Sequence, residues 1–407
     1  MKKIIIFSLF LCIICFAADS LNVRMAGRYT ATSPLEVVIE GNKAYVANSS
    51  GGIQILDISD PRDISELGYF YFTGEAYSIT LFRDDLVALA SSVNAVRFVN
   101  IGNPSSIFVV GSFMSDGQPS YCISREDTIY SNGDNFIIID ASDPVSPIQI
   151  GIYEDLFDAA RFQVSPPWAY LAQNNFGLSV MDISDPTSPV EYFHCLALTN
   201  YVRSVDVTNF GHILVGTDDE LLIYRHCTDS IEMIASWSAP GPVHDIFIDG
   251  IYAFLACGTA GLRIIDISDP FSPSEVGYYS LGSECTDVYI DYPFAWVSGL
   301  SCRINAFNIS GFAEIEETAL SIPKKHDLHL SPNPFNSSCK VLLPCDAISL
   351  KIFDISGKQI ETNNLDLKKS EFKWTPDENC QSGVYLISIE TSNTISVSYT
   401  HLRAHET

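Results

Sequence analysis

The segment Asp57-Ile58-Ser59-Asp60-Pro61 recurs as Asp140-Ala141-Ser142-Asp143-Pro144, Asp182-Ile183-Ser184-Asp185-Pro186 and Asp266-Ile267-Ser268-Asp269-Pro270. Degenerate copies fall at Asn100-Ile101-Gly102-Asn103-Pro104, at Arg225-His226-Cys227 and at Asn308-Ile309-Ser310. Their first positions are 57, 100, 140, 182, 225, 266 and 308, separated by 43, 40, 42, 43, 41 and 42 residues. Repetition at this step constrains the fold more than any single element can, because each unit must bury its apolar surface against its neighbours.

Each copy holds four short apolar or alternating runs separated by turn residues, the pattern of successive hairpins. In the sixth copy the runs are Val243 to Ile248 (A), Tyr252 to Ala256 (B), Gly261 to Ile267 (C) and Ser274 to Tyr279 (D). Asp249-Gly250 supplies a two-residue hairpin turn between A and B. Asp269-Pro270 suits the turn between C and D, because Pro fixes φ and the Asp side chain accepts bonds from nearby N–H groups. No segment carries a sustained helical period. Four strands in each of seven units predict an all-β, seven-bladed β-propeller; the rival is a solenoid, which needs capping units. Arg24-Met25-Ala26-Gly27-Arg28-Tyr29 matches the D runs Ser65 to Phe70 and Ser274 to Tyr279, whereas no D run follows the seventh C run. The array is therefore expected to close through its N-terminal strand, which leaves no open blade to aggregate. Tyr45, Tyr130, Tyr170, Phe254 and Trp296, at equivalent B positions, are expected to pack between blades, each contributing on the order of 2 to 3 kcal/mol.

Chemistry is best sought at the channel. The period aligns Glu36, Ser78, Ser120, Arg161, Ser204, Asp245 and Asp287, which predicts a ring of side chains near one mouth. Glu36, Arg161, Asp245 and Asp287 are candidate ligands for a polar molecule or cation, and His244 beside Asp245 is a candidate general base. A hydrated channel lined by polar groups is the competing account. The Asp-Ser-Asp groups carry oxygens that calcium accepts, but their placement matches turn chemistry, so no cofactor and no metal site are expected. Neither a Gly-x-Ser-x-Gly elbow nor a phosphate-binding glycine loop is present. The expected protein is thus a binding or scaffold module that is not an enzyme, with a propeller hydrolase or lyase as the alternative.

Composition narrows the partners. The chain has 407 residues, 49 acidic and 23 basic, a net charge of −26. Such a balance excludes nucleic acid, whose binding requires clustered Lys and Arg. Lys2 and Lys3 precede the 13-residue apolar run Ile4 to Phe16, with small residues at Cys15 and Ala17. That is the layout of an export signal over residues 1–17, too short to span a bilayer, for which about 20 residues are needed. Nine of the eleven cysteines lie beyond it. Isolated thiols are expected at Cys122, Cys195, Cys227 and Cys257, while bridges can be drawn between Cys285 and Cys302 and between Cys345 and Cys380.

After Gly311 the period stops. A polar linker is expected over 312–327, then a small immunoglobulin-like β-sandwich over 328–397, because alternating runs stand between Gly and Pro turns. The last residues, 398–407, read as a tail foreign to that domain.

Two resemblances follow from these residues. The apolar run, the Asp57 to Pro61 turn and its counterparts, and the following Pro147 with Gly151, Pro189, and Pro273 with Gly277 resemble the LVIVD repeat of bacterial propellers. The resemblance covers roughly residues 24–310 and implies a secreted or surface binding module, over a propeller of 18–311. Pro332-Asn333-Pro334-Phe335, the Gly357-Lys358 turn and the Gly383-Val384-Tyr385 strand resemble the C-terminal sorting domain of the type IX (Por) secretion system. That resemblance implies export through the periplasm, contact with the type IX machinery, and a cell-surface or extracellular destination. The expected product is a monomer without transmembrane segments that meets an extracellular glycan or protein.

Overall fold

The structure, a computed structural model, describes residues 20–312 apart from 32, 50, 94, 116, 155, 157, 158, 196–199, 228, 229 and 302. Of the C-terminal region it describes 330–331, 339–342, 347–354, 358–364, 371–375, 383–391 and 395–402. The export signal, the linker beyond Phe312, Pro332 to Phe335, Gly357, Cys302, Cys345 and Cys380 lie outside the described residues.

The repeats fold into seven antiparallel sheets of four strands, with a fifth strand added to the sixth sheet. Blade one consists of strands Pro34–Glu40 (A), Lys43–Asn48 (B), Ile53–Asp57 (C) and Ser65–Phe70 (D). The remaining A strands are Ala76–Arg83, Tyr121–Arg125, Arg161–Ser165, Ser204–Val207, Asp245–Asp249 and Asp287–Asp291. Consecutive A strands touch, and that of blade seven touches that of blade one. In blade seven the outermost strand is Arg24–Tyr29, paired with Arg303–Asn308. The short strand Ser20–Leu21 pairs outside the D strand Ser274–Tyr279 of blade six.

The sequence explains how blades join. The B-strand aromatics Tyr45, Tyr130, Tyr170, Phe254 and Trp296 are all buried. Each sits in a cluster shared with the next blade, as Tyr45 does with Ile79 and Leu89, or Trp296 with Val37 and Leu56. The Asp turns have one geometry throughout. Asp57, Asp140, Asp182 and Asp266 accept the N–H of Ser59, Ser142, Ser184 and Ser268 at 2.8–2.9 Å. Asp60, Asp143, Asp185 and Asp269 repeat the bond at the second step of the turn. Asn100, Asn103 and Asn308 do the same in the degenerate copies. These bonds hold the carboxyls of Asp57 and Asp140 below their ordinary range, and side-chain hydrogen bonds from Arg62, Ser184 and Thr187, with the backbone bonds behind them, do so for Asp60, Asp182 and Asp185.

Every D strand is bulged at one equivalent place, and there blades one, two and three carry Gly68, Gly111 and Gly151, as Arg24–Tyr29 carries Gly27. A Cβ at Gly27, Gly68, Gly111 or Gly151 would lie 1.5–2.1 Å from the carbonyl oxygen of Pro61, Pro104, Pro144 or Pro186. The glycine therefore admits the Asp-Pro turn of the following blade. Blade five has no such turn, and blade four has Phe193 where the glycine would stand, paired with Val180. The slot between them is filled by His226, whose ring lies 4.7 Å from Trp168 and 5.8 Å from Tyr192. Its Nδ1 is 2.9 Å from the Tyr170 hydroxyl.

The cysteine expectations change in two places. Cys227 is disulfide-bonded rather than an isolated thiol, and Cys195 is only half-buried. Cys285 is buried, with its Sγ 3.4 Å from the Ser283 carbonyl oxygen. Cys122 and Cys257 are buried thiols, and burial pushes both up to about 12.

The C-terminal region forms two sheets. One joins Leu330–Ser331, Cys339–Leu342 and Glu371–Trp374; the other is ordered Gln359–Asn364, Ala347–Asp354, Gly383–Thr391 and Ile395–Leu402. Tyr385 is buried with its ring 5.0 Å from Trp374, whereas Lys358 is exposed. The strand of Gly383 and Val384 pairs with residues up to Leu402, so pairing extends into the stretch read as a foreign tail.

Candidate functional site

The channel-facing residues lie near the start of each A strand, where they pair with the end of strand B: Glu36 with Ala47, Arg161 with Ala172, Asp245 with Ala256 and Asp287 with Ser298. In blade three the residue in this register is Tyr121, paired with Asn132. This corrects the expectation of Ser120, which instead hydrogen-bonds Asn132 Oδ1 at 3.0 Å and the Ala159 carbonyl at 3.4 Å. The step from blade three to blade four is shorter by one than the period suggested, and that placed the alignment one residue early.

Arg161 gathers the others. Its Nη1 lies 3.0 Å from Asp245 Oδ1 and 3.7 Å from Glu36 Oε1, and its Nη2 donates to Asp287 Oδ1 at 3.1 Å and to the Thr286 carbonyl at 3.2 Å. The guanidinium also lies over the Tyr121 ring, 5.0 Å from its centre. A single side chain of blade four thus ties blades one, six and seven across the channel.

Each carboxylate spends its remaining oxygen on a neighbouring blade. Glu36 Oε2 accepts the N–H of Ile79 at 2.8 Å, Asp245 Oδ2 that of Val288 at 3.0 Å, and Asp287 Oδ2 that of Val37 at 2.9 Å. In every case the donor is the residue just after the channel-facing one of the next blade. Ser78 takes the same role towards Cys122 N at 3.2 Å, while Ser204 donates to the Val243 carbonyl at 2.8 Å. One layer deeper, Asp206 accepts from Ile248 N at 2.9 Å and from Gln163 Nε2 at 2.7 Å. Asp206 is a part of the channel that repeat alignment did not single out, although its place two residues after Ser204 puts it on the same strand face.

Three carboxylates against one guanidinium cannot all be ionised cheaply in a dry site. Burial pushes Glu36 up to about 7, against the pull of Arg161. Burial and the charge of Asp287 hold Asp245 well above the usual carboxylate range, and burial raises Asp287 as well. Burial raises Asp206 to about 6. Burial opposes the charge of Arg161, but Asp245, Tyr121, Asp287 and Glu36 outweigh it and raise its affinity for the proton.

His244 stands apart from this cluster. Its Nε2 lies 3.6 Å from Glu284 Oε1, and burial, with Arg203 nearby, lowers its pKa. Among the described residues no group of three His, Cys, Asp or Glu side chains has a metal-holding arrangement. A cavity of about 660 Å³ opens over blades one to four, lined by Leu35, Tyr77, Gln118, Ser120, Asp134 and Phe176 among others.

Radial four-stranded blades around a channel define a β-propeller. The solved β-propeller domain of Cps50 (Swd1) from Myceliophteria thermophila superposes with a TM-score of 0.56 at 9% identity, covering 70% of this chain and 99% of that one. Protein groucho of Drosophila melanogaster is 23% identical over 162 residues, 38% of this chain; the match spans only 22% of groucho. Residues 34–70, 131–155, 158–197 and 240–280 match the LVIVD repeat, and residues 329–400 match the secretion system C-terminal sorting domain. Four segments of the chain thus match the LVIVD repeat and its C-terminal region matches the type IX sorting domain, on a β-propeller fold.

Proposed function

We propose that this is an exported propeller that binds an extracellular glycan or protein at its channel mouth, without catalysis, and reaches the cell surface or the medium by the type IX route. The observation that carries the reading is the saturation of the channel charges. Arg161, Glu36, Asp245 and Asp287 are each bonded to one another or to the backbone of the adjoining blade, an arrangement that serves cohesion. His244 has a pKa depressed by burial, and its buried Nε2 has no hydrogen-bond partner among the described residues. The 660 Å³ cavity, with Tyr77 and Phe176 beside Gln118, Ser120 and Asp134, has the mixed apolar and polar lining of a ligand site.

In this reading the array is closed by the pairing of Arg24–Tyr29 with blade seven, and the two C-terminal sheets form the immunoglobulin-like sandwich that the secretion machinery reads. No helix among the described residues is long and apolar enough to cross a membrane. The test is a screen of the purified mature protein against glycan arrays and chromogenic esters, with and without calcium. Ligand retention without turnover is expected, and Phe176→Ala should weaken it. Turnover that disappears in His244→Ala, with the fold intact, would establish the hydrolase or lyase alternative instead.

A further inference from the structure

A cavity of about 1130 Å³ lies where the outermost strand of blade seven meets blade one, lined by Arg24, Asp60, Arg62, Phe294 and Asn308 among others. Its outer wall is the stretch of chain that crosses from Ser20–Leu21 on blade six to Arg24–Tyr29 on blade seven. It stands at the opposite ends of the strands from the channel cavity, because Asp57 pairs with the start of strand B and Pro34 with its end. On a chain of 49 acidic and 23 basic residues, one carboxylate lines it among the described residues, and that carboxylate is already engaged. Asp60 accepts Arg62 Nε at 2.9 Å on Oδ1 and Arg62 Nη2 at 3.0 Å on Oδ2, which leaves Nη1 of the fork. No acceptor among the described residues holds the exposed Arg24. Asn308 gives its Oδ1 to Ser310 N at 3.1 Å and Ser310 Oγ at 2.8 Å, so its Nδ2 hydrogens remain to donate. The open charge in this cavity is therefore positive, with amide donors beside it.

We propose that this cavity binds the phosphate or carboxylate group of a small anionic ligand, with Arg24 and Arg62 as its clamps and the Phe294 ring as an apolar wall. A guanidinium fork matches the oxygens of either group, and such charge-assisted bonds are about twice as strong as neutral ones. The repeat shows that the fold itself does not require these arginines. Four seams share the packing of a D-strand glycine on the next blade's turn, at Gly27, Gly68, Gly111 and Gly151. Arg24, paired with Asn308, is matched in register by Ser65, Phe108 and Ile148. Arg62, whose N–H bonds the second turn aspartate, is matched by Ser105, Val145 and Thr187. The other three seams thus hold Ser65 with Ser105, Phe108 with Val145 and Ile148 with Thr187, all uncharged. Arginine stands at both places only between blades seven and one, where the crossing chain also walls off the cavity. A residue needed for blade packing would recur with the packing; these two recur nowhere among the seams that share it.

Isothermal titration of the purified mature protein with glucose 1-phosphate, glucuronate and uncharged glucose, in about 50 mM salt where charges are weakly screened, tests this. Saturable binding of at least one anion and none of glucose is expected, and the tighter anion identifies the group that the cavity takes. Arg24→Ala and Arg62→Ala should each weaken binding by about tenfold or more, the loss of a charge-assisted contact, with the melting temperature unchanged. Arg24→Lys, which keeps the charge without the fork, should recover part of the affinity. Arg28→Ala, on the same strand but bonded to Asn305 Oδ1 at 2.7 Å outside the cavity, should bind as the wild type does, which separates the site from overall charge. No binding of either anion up to about 10 mM, glucose bound as tightly as the anions, or binding indifferent to both alanine variants would overturn the proposal.

Discussion

Arg161 shows what a single residue carries in this fold. It faces carboxylates from three other blades, and without it Glu36, Asp245 and Asp287 would be buried together with no cation among them. Replacing Arg161 by Met is expected to cost about 3 to 5 kcal/mol, the usual penalty for orphaning buried charge, read as a lower urea midpoint. Adding Asp245→Asn should restore part of the loss. The same cluster sets a pH dependence. Glu36 rises from an ordinary 4.5 to about 7, so between these values the folded state holds a proton that the unfolded chain has released. Its contribution to stability is fully present below the lower value and is lost as the pH rises through the upper one. Unfolding free energy should therefore fall from about pH 5 to about pH 8, and Glu36→Gln should flatten that slope; an unaltered slope in the variant contradicts the assignment. Glu36, Arg161, Asp245 and Asp287 were legible as one set because a fixed period maps onto a fixed radius. Tyr121 was not, because one short step moves the register by a residue, and in a strand one residue is the difference between facing in and facing away.

Between elements, the recurring device is a glycine in strand D that receives the Asp-Pro turn of the next blade. Gly151→Ala would set a Cβ 1.9 Å from the Pro186 carbonyl oxygen, which forces backbone movement. A loss of about 1 to 3 kcal/mol is expected, measured by thermal unfolding, against a negligible effect for Gly311→Ala, which meets no neighbour and has no positive φ. Turns and strands were readable from the sequence because their chemistry is local: an Asp two residues before an N–H, a Pro with fixed φ, an alternating run. The filling of the blade-five slot was harder to foresee, since His226, Trp168, Tyr170 and Tyr192 come from two repeats. The signal was present nonetheless, as the loss of the glycine in blade four coincides with the loss of the turn in blade five. The disulfide at Cys227 escaped for a related reason, because pairing is set by three-dimensional proximity that cysteine spacing does not encode.

At the scale of the molecule, the two ends of the repeat array meet in one sheet, where Arg24–Tyr29 pairs with Arg303–Asn308 over a separation of about 280 residues. The orphan D run at the N-terminus and the missing one after Ile309 pointed to this pairing, because strand count per repeat is conserved by the geometry of a blade. The ligand proposed for the channel mouth was not legible, since residues lining the cavity there, such as Asp134 and Phe176, lie in loops that follow no period. Closure of the ring through the N-terminal strand, which pairs with the last blade, is the central proposal. Thermal unfolding of the mature protein, compared with a version lacking residues 18–31, tests it directly. The account predicts that the deletion lowers the midpoint by roughly 10 °C or more, as expected when several kcal/mol are lost from a domain this large, and that adding the missing segment as a peptide restores part of the shift. A midpoint unchanged by the deletion would contradict it.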